Sequence, residues 1–183
     1  MSQLPRKYAI TGNEEELDII IKMLEKNRTN EMSQIRAKTH SLTSLKQILG
    51  PKLTGIVLVN SSSYDGSQLG PFHGVHLTSK DAQDYALIQD IKKAGARYIA
   101  ASCHNQAELE IANRIKCDFV TLSPVHIASC HPEAATIGWQ GFSKLAKFAT
   151  MPIFALGGVG ADDLTAAKQH GAYGVSGVSD FWQ

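Results

Sequence analysis

The chain has 183 residues, 43% hydrophobic and 19% charged, with 18 Lys and Arg against 17 Asp and Glu. A net charge of +1 without any basic run argues against a nucleic-acid partner, and no window approaches the roughly 20 apolar residues of a membrane span. Cys103, Cys117 and Cys130 form no CxxC pair, and the N-terminus shows no apolar leader, which fits a reduced cytoplasmic protein with one domain over residues 1–183.

Short, nearly continuous apolar runs alternate with longer amphipathic stretches along the chain. The first strand is predicted over Tyr8–Thr11. A helix over Glu14–Lys26 follows, with Leu17, Ile20, Ile21 and Leu24 on one face and Asn13 as its cap, Glu16 standing three residues on. Strands two and three fall at Ser33–Arg36 and Gly55–Asn60. The next stretch, SSSYDGSQLGPFH, is too rich in helix breakers for a full helix, so the third crossover is abbreviated. Strand four is Val75–Leu77, Gly95 marks a helix stop, and strand five is Tyr98–Ser102. Asn105 caps a helix over Ala107–Ile115, with Glu108 in the same relation as Glu16. Strand six at Phe119–Ser123, a helix at Phe142–Phe148 and strand seven at Ile153–Leu156 come next. A helix at Asp162–His170, stopped by Gly171, leads into strand eight at Gly174–Gly177.

Apolar strands of this kind are covered on both faces, and eight of them alternating with helices predict an α/β fold, a (β/α)8 TIM barrel. An open doubly wound sheet is the structural alternative. After strand eight there is no room for a full eighth helix, which leaves Phe181 and Trp182, or another subunit, to cover the apolar wall.

In such barrels the working residues sit at the C-terminal strand ends, and phosphates favour the loops after strands seven and eight. Strand seven ends in Leu156-Gly157-Gly158-Val159-Gly160, and strand eight in Gly177-Val178-Ser179-Asp180. Adjacent glycines allow close backbone approach, so these two ends predict an anion nest.

Several segments now carry a resemblance. GVHLTSKDA (74–82), AASCHNQAEL (100–109), DFVTLSPV (118–125), MPIFALGGV (151–159) and HGAYGVSGVS (170–179) look like the thiamine phosphate synthase family, which includes thiazole tautomerase-like proteins. QIRAK (34–38) resembles its QLRxK motif. GVHLTS, ASCH, LSPV, SCHP followed by IGW, and the terminal FW are most similar to the synthase-like domain found fused to Nudix hydrolases. The resemblance implies joining of hydroxymethylpyrimidine diphosphate to a thiazole phosphate with release of pyrophosphate. It further implies Arg36 and Lys38 on the diphosphate, Ser102 as a hydroxyl contact to it, and Gln34 and Asn60 as orienting groups. Gly158, Val178 and Ser179 match the thiazole-phosphate cradle, together with the Gly157 read above. A dimer is the assembly the resemblance implies.

The chain departs from the family pattern in three places. Where the family has Asn-Asp after strand three, with the Asp on Mg²⁺, this chain has Asn60-Ser61. Asp81 matches the remaining metal carboxylate, or caps the following helix, so a weakened Mg²⁺ site is expected. The Thr-x-Thr-Lys pattern after strand six becomes Ala128, Cys130 and His131, leaving His131 as the catalytic match to the Lys. The tautomerase branch carries a His where this chain has Pro124, so tautomerase activity through His126 or His131 is the runner-up. A non-catalytic phosphate-ligand-binding module associated with Nudix hydrolase function is a third reading. Cys103 and His104, adjacent on a strand, face opposite sides, and His76 reads as a hydrogen-bonded barrel residue.

Overall fold

In the computed structural model, which describes residues 4–12, 16–26, 31–127 and 135–182, eight parallel strands close into a barrel. The strands are β1 (Lys7–Ile10), β2 (Met32–Ile35), β3 (Ile56–Asn60), β4 (Gly74–Leu77), β5 (Tyr98–Cys103), β6 (Phe119–Leu122), β7 (Ile153–Ala155) and β8 (Gly174–Gly177). Pairing of β8 with β1, Tyr8 opposite Ser176, closes the ring and rules out the open sheet. Six helices pack outside: α1 (Leu17–Lys26), α2 (Leu42–Leu49), α3 (Tyr85–Lys93), α4 (Gln106–Ile115), α5 (Gly138–Ala146) and α6 (Leu164–Gln169).

The period-2 alternation of each strand divides the apolar residues into two cores. Tyr8, Ile10, Met32, Leu58, Ala100, Phe119 and Phe154 fill the barrel interior. Their neighbours, such as Ala9, Val57, Val59, Val75, Ile99 and Val120, face outward into the layer under the helices.

Strand edges match the sequence pattern within one residue; α2 is not among the expected helices, and α3 is expected only through its stop at Gly95 and the cap position offered to Asp81. Both carry ordinary start signals. Ser41 Oγ accepts from Ser44 N (3.2 Å) ahead of the buried stripe Leu42, Leu45, Leu49. Asp84 Oδ1 accepts from Leu87 N (3.0 Å) ahead of Ile88 and Ile91. At α4, Asn105 Oδ1 does accept from Glu108 N (3.0 Å). Glu108, however, reaches back to His104 N (2.7 Å) rather than completing a box with Asn105. The Asn13 cap lies outside the described residues. Gly95 and Gly171 end their helices with φ of +94° and +93°, the left-handed geometry their positions demand.

The third crossover holds one short 3₁₀ turn, Ser61–Ser63, in place of a helix. Its loop is organised by Asp65, which accepts from Thr43 N (3.0 Å) and Ser67 N (3.1 Å), and by Lys46, which donates to Gln68 O (2.8 Å). After β8 the described chain forms no helix. Phe181 and Trp182 fold back instead, each 6% exposed, and Trp182 Nε1 donates to Ile10 O (2.8 Å). No helix among the described residues is long and apolar enough to cross a membrane.

Candidate active site

The C-terminal ends of the strands surround a cavity of about 1110 Å³. Most of the residues singled out from sequence meet there: Gln34, Arg36 and Lys38 from the end of β2, Asn60 from β3, Ser102 from β5, Gly157 and Gly158 after β7, and Val178 and Ser179 after β8. Residues 34, 36 and 38 share a side because alternate positions leaving a strand point the same way. The backbone there is pinned by Arg36 N donating to Thr11 Oγ1 (2.8 Å). Asn60 Oδ1 is taken up by Ser62 N (3.1 Å) and Ser62 Oγ (2.6 Å), which leaves the Asn60 amide N–H groups as donors for a ligand.

The cavity floor is more polar than the sequence reading anticipated. His76 bridges the hydroxyls of Tyr8 (Oη to Nδ1, 3.1 Å) and Ser102 (Nε2 to Oγ, 3.0 Å). Thr121 sits beside Ser102 in the ladder, fully buried, and its Oγ1 has no hydrogen-bond partner among the described residues. His104 also lines the cavity, while Cys103 is buried in the outer layer, as strand alternation requires. The signal that finds Thr121 is register: Ser102 pairs with Thr121, so a polar inward position on β5 marks one on β6.

Burial, and secondarily the Arg36 charge, push the His76 imidazole down to about 3. The folded chain therefore refuses a proton that the unfolded chain binds between pH 6.5 and 3. Acidification through that window is expected to cost about 1.4 kcal/mol of stability per pH unit from this group. Urea midpoints at pH 7 and pH 5, with NMR of the His76 ring, test this. A ring that titrates near pH 6 in the folded protein would overturn it.

The glycine pair lies backbone to backbone against the β6 loop. Val125 N donates to Leu156 O (3.0 Å) and His126 N to Gly157 O (2.9 Å). Gly157 and Gly158 have φ of +93° and +59°, and a Cβ at Gly158 would stand 2.6 Å from Ile127 O. The pair is thus a close-packed joint as well as a cavity wall. Acidic groups flank it: Asp162, Asp163 and Asp180 all line the cavity. Asp163 Oδ2 accepts from Gly160 N (2.8 Å), which removes that N–H from any anion cradle. The N–H groups of Gly158 and Ser179 make no backbone hydrogen bond among the described residues, and with the Ser179 hydroxyl they form a donor set suited to an oxyanion.

Asp81 does not line the cavity. Its Oδ2 accepts from Ser61 Oγ (2.6 Å), and Ser61 Oγ in turn accepts from Thr78 N (3.1 Å). Nor does Asp81 cap α3, since Asp84 does. With Ser61 in place of a carboxylate and Asp81 drawn onto it, the residues present do not fit a resident Mg²⁺ site. Among the described residues no three His, Cys, Asp or Glu side chains converge as metal ligands. Ala128, Cys130 and the catalytic candidate His131 lie outside the described residues. His126 packs edge-on against Trp139 (5.4 Å between ring centres) and does not line the cavity.

A family profile described as thiamine monophosphate synthase matches residues 8–181. The chain belongs to this family. It is 29% identical over 188 residues to the putative thiamine-phosphate synthase 2 of Aquifex aeolicus (strain VF5), covering 98% of each chain. The thiamine-phosphate synthase of Azorhizobium caulinodans is 31% identical over 145 residues, covering 79% of this chain and 66% of that one. Among solved structures, thiamine phosphate pyrophosphorylase from Pyrococcus furiosus shares the fold, with a TM-score of 0.65 at 19% identity over 96% of this chain and 89% of that one. The thiamine phosphate synthase resemblance of the sequence motifs and the closed barrel thus agree.

Proposed function

We propose that this barrel is a thiamine phosphate synthase-type transferase that joins hydroxymethylpyrimidine diphosphate to a thiazole phosphate. The observation that carries this reading is the meeting of Gln34, Arg36, Lys38, Asn60 and Ser102 with the Gly157-Gly158 and Val178-Ser179 turns around one cavity. At about 1110 Å³ it has room for two small heterocycles side by side.

The chemistry asks little acid–base help of the protein. The bond between the pyrimidine methylene carbon and the diphosphate oxygen breaks, and its electron pair leaves with pyrophosphate. The thiazole nitrogen lone pair then forms the new C–N bond. Arg36 and Lys38 take up the negative charge that grows on the leaving group, assisted by the Asn60 amide and the Ser102 hydroxyl. Gln34, buried at the inner end of the same row, orients the pyrimidine. The turns after β7 and β8 hold the thiazole phosphate through backbone N–H groups and Ser179.

A second reading, a non-catalytic binder of a phosphorylated heterocycle, is favoured by one feature, the Ser61–Asp81 hydrogen bond in place of a carboxylate pair. The test is pyrophosphate release by the purified protein with both thiamine precursors in Mg²⁺ buffer. One pyrophosphate per thiamine phosphate formed is the expected result. No turnover, with thiazole phosphate still raising the melting temperature, would leave the binder reading standing.

A further inference from the structure

The three-residue chain in the barrel floor has a direction, and Tyr8 sets it. A neutral imidazole carries one proton, so one ring nitrogen donates and the other accepts. Tyr8 is fully buried among Phe119 and Phe154, ring centres 5.2 and 5.9 Å away, and its hydroxyl bonds to His76 Nδ1 and to no other group among the described residues. A proton on Nδ1 would point at the Tyr8 oxygen and leave the buried Tyr8 O–H without an acceptor, an arrangement buried polar groups avoid. With the proton on Nε2 every donor is used: Tyr8 O–H donates to Nδ1, and Nε2–H donates to Ser102 Oγ.

That direction has a consequence for Ser102. Its oxygen accepts from His76, so its own proton turns toward the cavity it lines. Thr121, the neighbour of Ser102 in the ladder, adds a fully buried hydroxyl on the same cavity wall with no partner among the described residues. Burial and the Arg36 charge keep the ring neutral, so the direction does not reverse at ordinary pH.

We propose that Tyr8 and His76 are positioning residues that hold Ser102 as a fixed hydrogen-bond donor to an anionic oxygen of the ligand. The inference rests on the diphosphate-binding reading of this cavity. A donor fixed in advance meets an oxyanion without reorganising, and a chain of bonds polarised in one direction strengthens its last member. Ser102 touches the ligand; His76 and Tyr8 act through it.

Two measurements test the proposal. Nitrogen-detected NMR of the free wild-type protein, with the signal assigned by a His76→Gln variant, is expected to show His76 protonated on Nε2 and bare on Nδ1. The reverse tautomer, or a charged ring at pH 7, would overturn the direction of the chain. The second is a double-mutant cycle read by calorimetry with inorganic pyrophosphate as the probe. Ser102→Ala is expected to weaken binding about tenfold, the usual scale for a hydrogen bond to a charged group. His76→Gln is expected to weaken it comparably in the wild-type background and hardly at all in the Ser102→Ala background. Independent, additive losses would mean that His76 is merely structural, and would end the proposal. A wild-type protein that does not bind pyrophosphate would instead sink the diphosphate-binding reading on which the proposal rests, while the NMR result still reports the direction of the chain.

Discussion

Replacing Arg36 and Lys38 together by alanine is expected to lower the rate of pyrophosphate release by about 10³- to 10⁴-fold, with little change in melting temperature. The magnitude follows from what the two cations face. A leaving diphosphate gathers negative charge as its bond to carbon breaks, and each well-placed donor to such a charge is commonly worth about 10²–10³ in rate. The two contributions overlap because both act on one group, so the product of the two single effects is an upper bound. Stability should hold because Arg36 is half-buried, Lys38 is exposed, and the hydrogen bond from Arg36 N to Thr11 Oγ1 that pins the backbone there is kept in the alanine variant. On the proposed reading the thiazole phosphate is held by the turns after β7 and β8 rather than by these two cations, so its KM should move by only about twofold, since exposed charges are screened in salt. Arg36→Lys is the discriminating companion. It keeps the charge but loses the planar fork, and is expected to recover part of the rate. A double alanine variant within tenfold of wild type would show that these cations do not carry the leaving group.

The legibility of this row in the sequence has a simple cause. Positions 34, 36 and 38 follow a strand of period 2, so one fixed point places all three, and the barrel order then brings them to the mouth shared with Gly157 and Ser179. The strands were equally legible, because short apolar runs opened by a breaker, such as Ile56–Asn60 after Gly55 and Ile153–Ala155 after Pro152, leave little choice of boundary. What the sequence did not disclose depends on contacts between distant segments. Ser61 and Asp81 are twenty residues apart, and only closure of β3 beside β4 lets the serine hydroxyl claim the carboxylate. The direction of the Tyr8–His76–Ser102 chain likewise needs β1 brought across the closed barrel from β4 and β5. Thr121 reads in isolation as an ordinary β-branched strand residue, and that its hydroxyl has no partner among the described residues is visible only in three dimensions. Helix α2 was a different kind of miss. Its stripe of Leu42, Leu45 and Leu49 was present, but Ser and Thr in the first turn weaken helix propensity and masked it.

Gly158→Ala is expected to destabilise the protein by about 2–5 kcal/mol and to lower turnover by about 100-fold or more. Two costs combine. At φ +59° an alanine pays about 1–2 kcal/mol for the left-handed conformation. Its methyl would also stand 2.6 Å from Ile127 O and 2.7 Å from His126 Cβ, and these belong to a loop already tied to Gly157 by the His126 N–H. Overpacking of that kind typically adds about 1–3 kcal/mol, because neither backbone can yield without breaking the hydrogen bonds between them. One of the two loops must therefore shift, and the shift disturbs the Gly158 N–H of the proposed cradle, so the expected loss falls on ligand binding as well as on stability. Gly95→Ala separates the two costs. Gly95 has a φ of +94° with nothing within 4 Å of the added methyl, and it lies at the end of α3, ahead of β5, at the far end of the barrel. It should lose about 1 kcal/mol of stability and keep full activity. If thermal melts and precursor assays place Gly158→Ala beside Gly95→Ala on both scales, the glycine pair is only a turn. Activity lost at Gly158 and retained at Gly95 would mean that the two loops must meet backbone to backbone for the cavity to hold its anion.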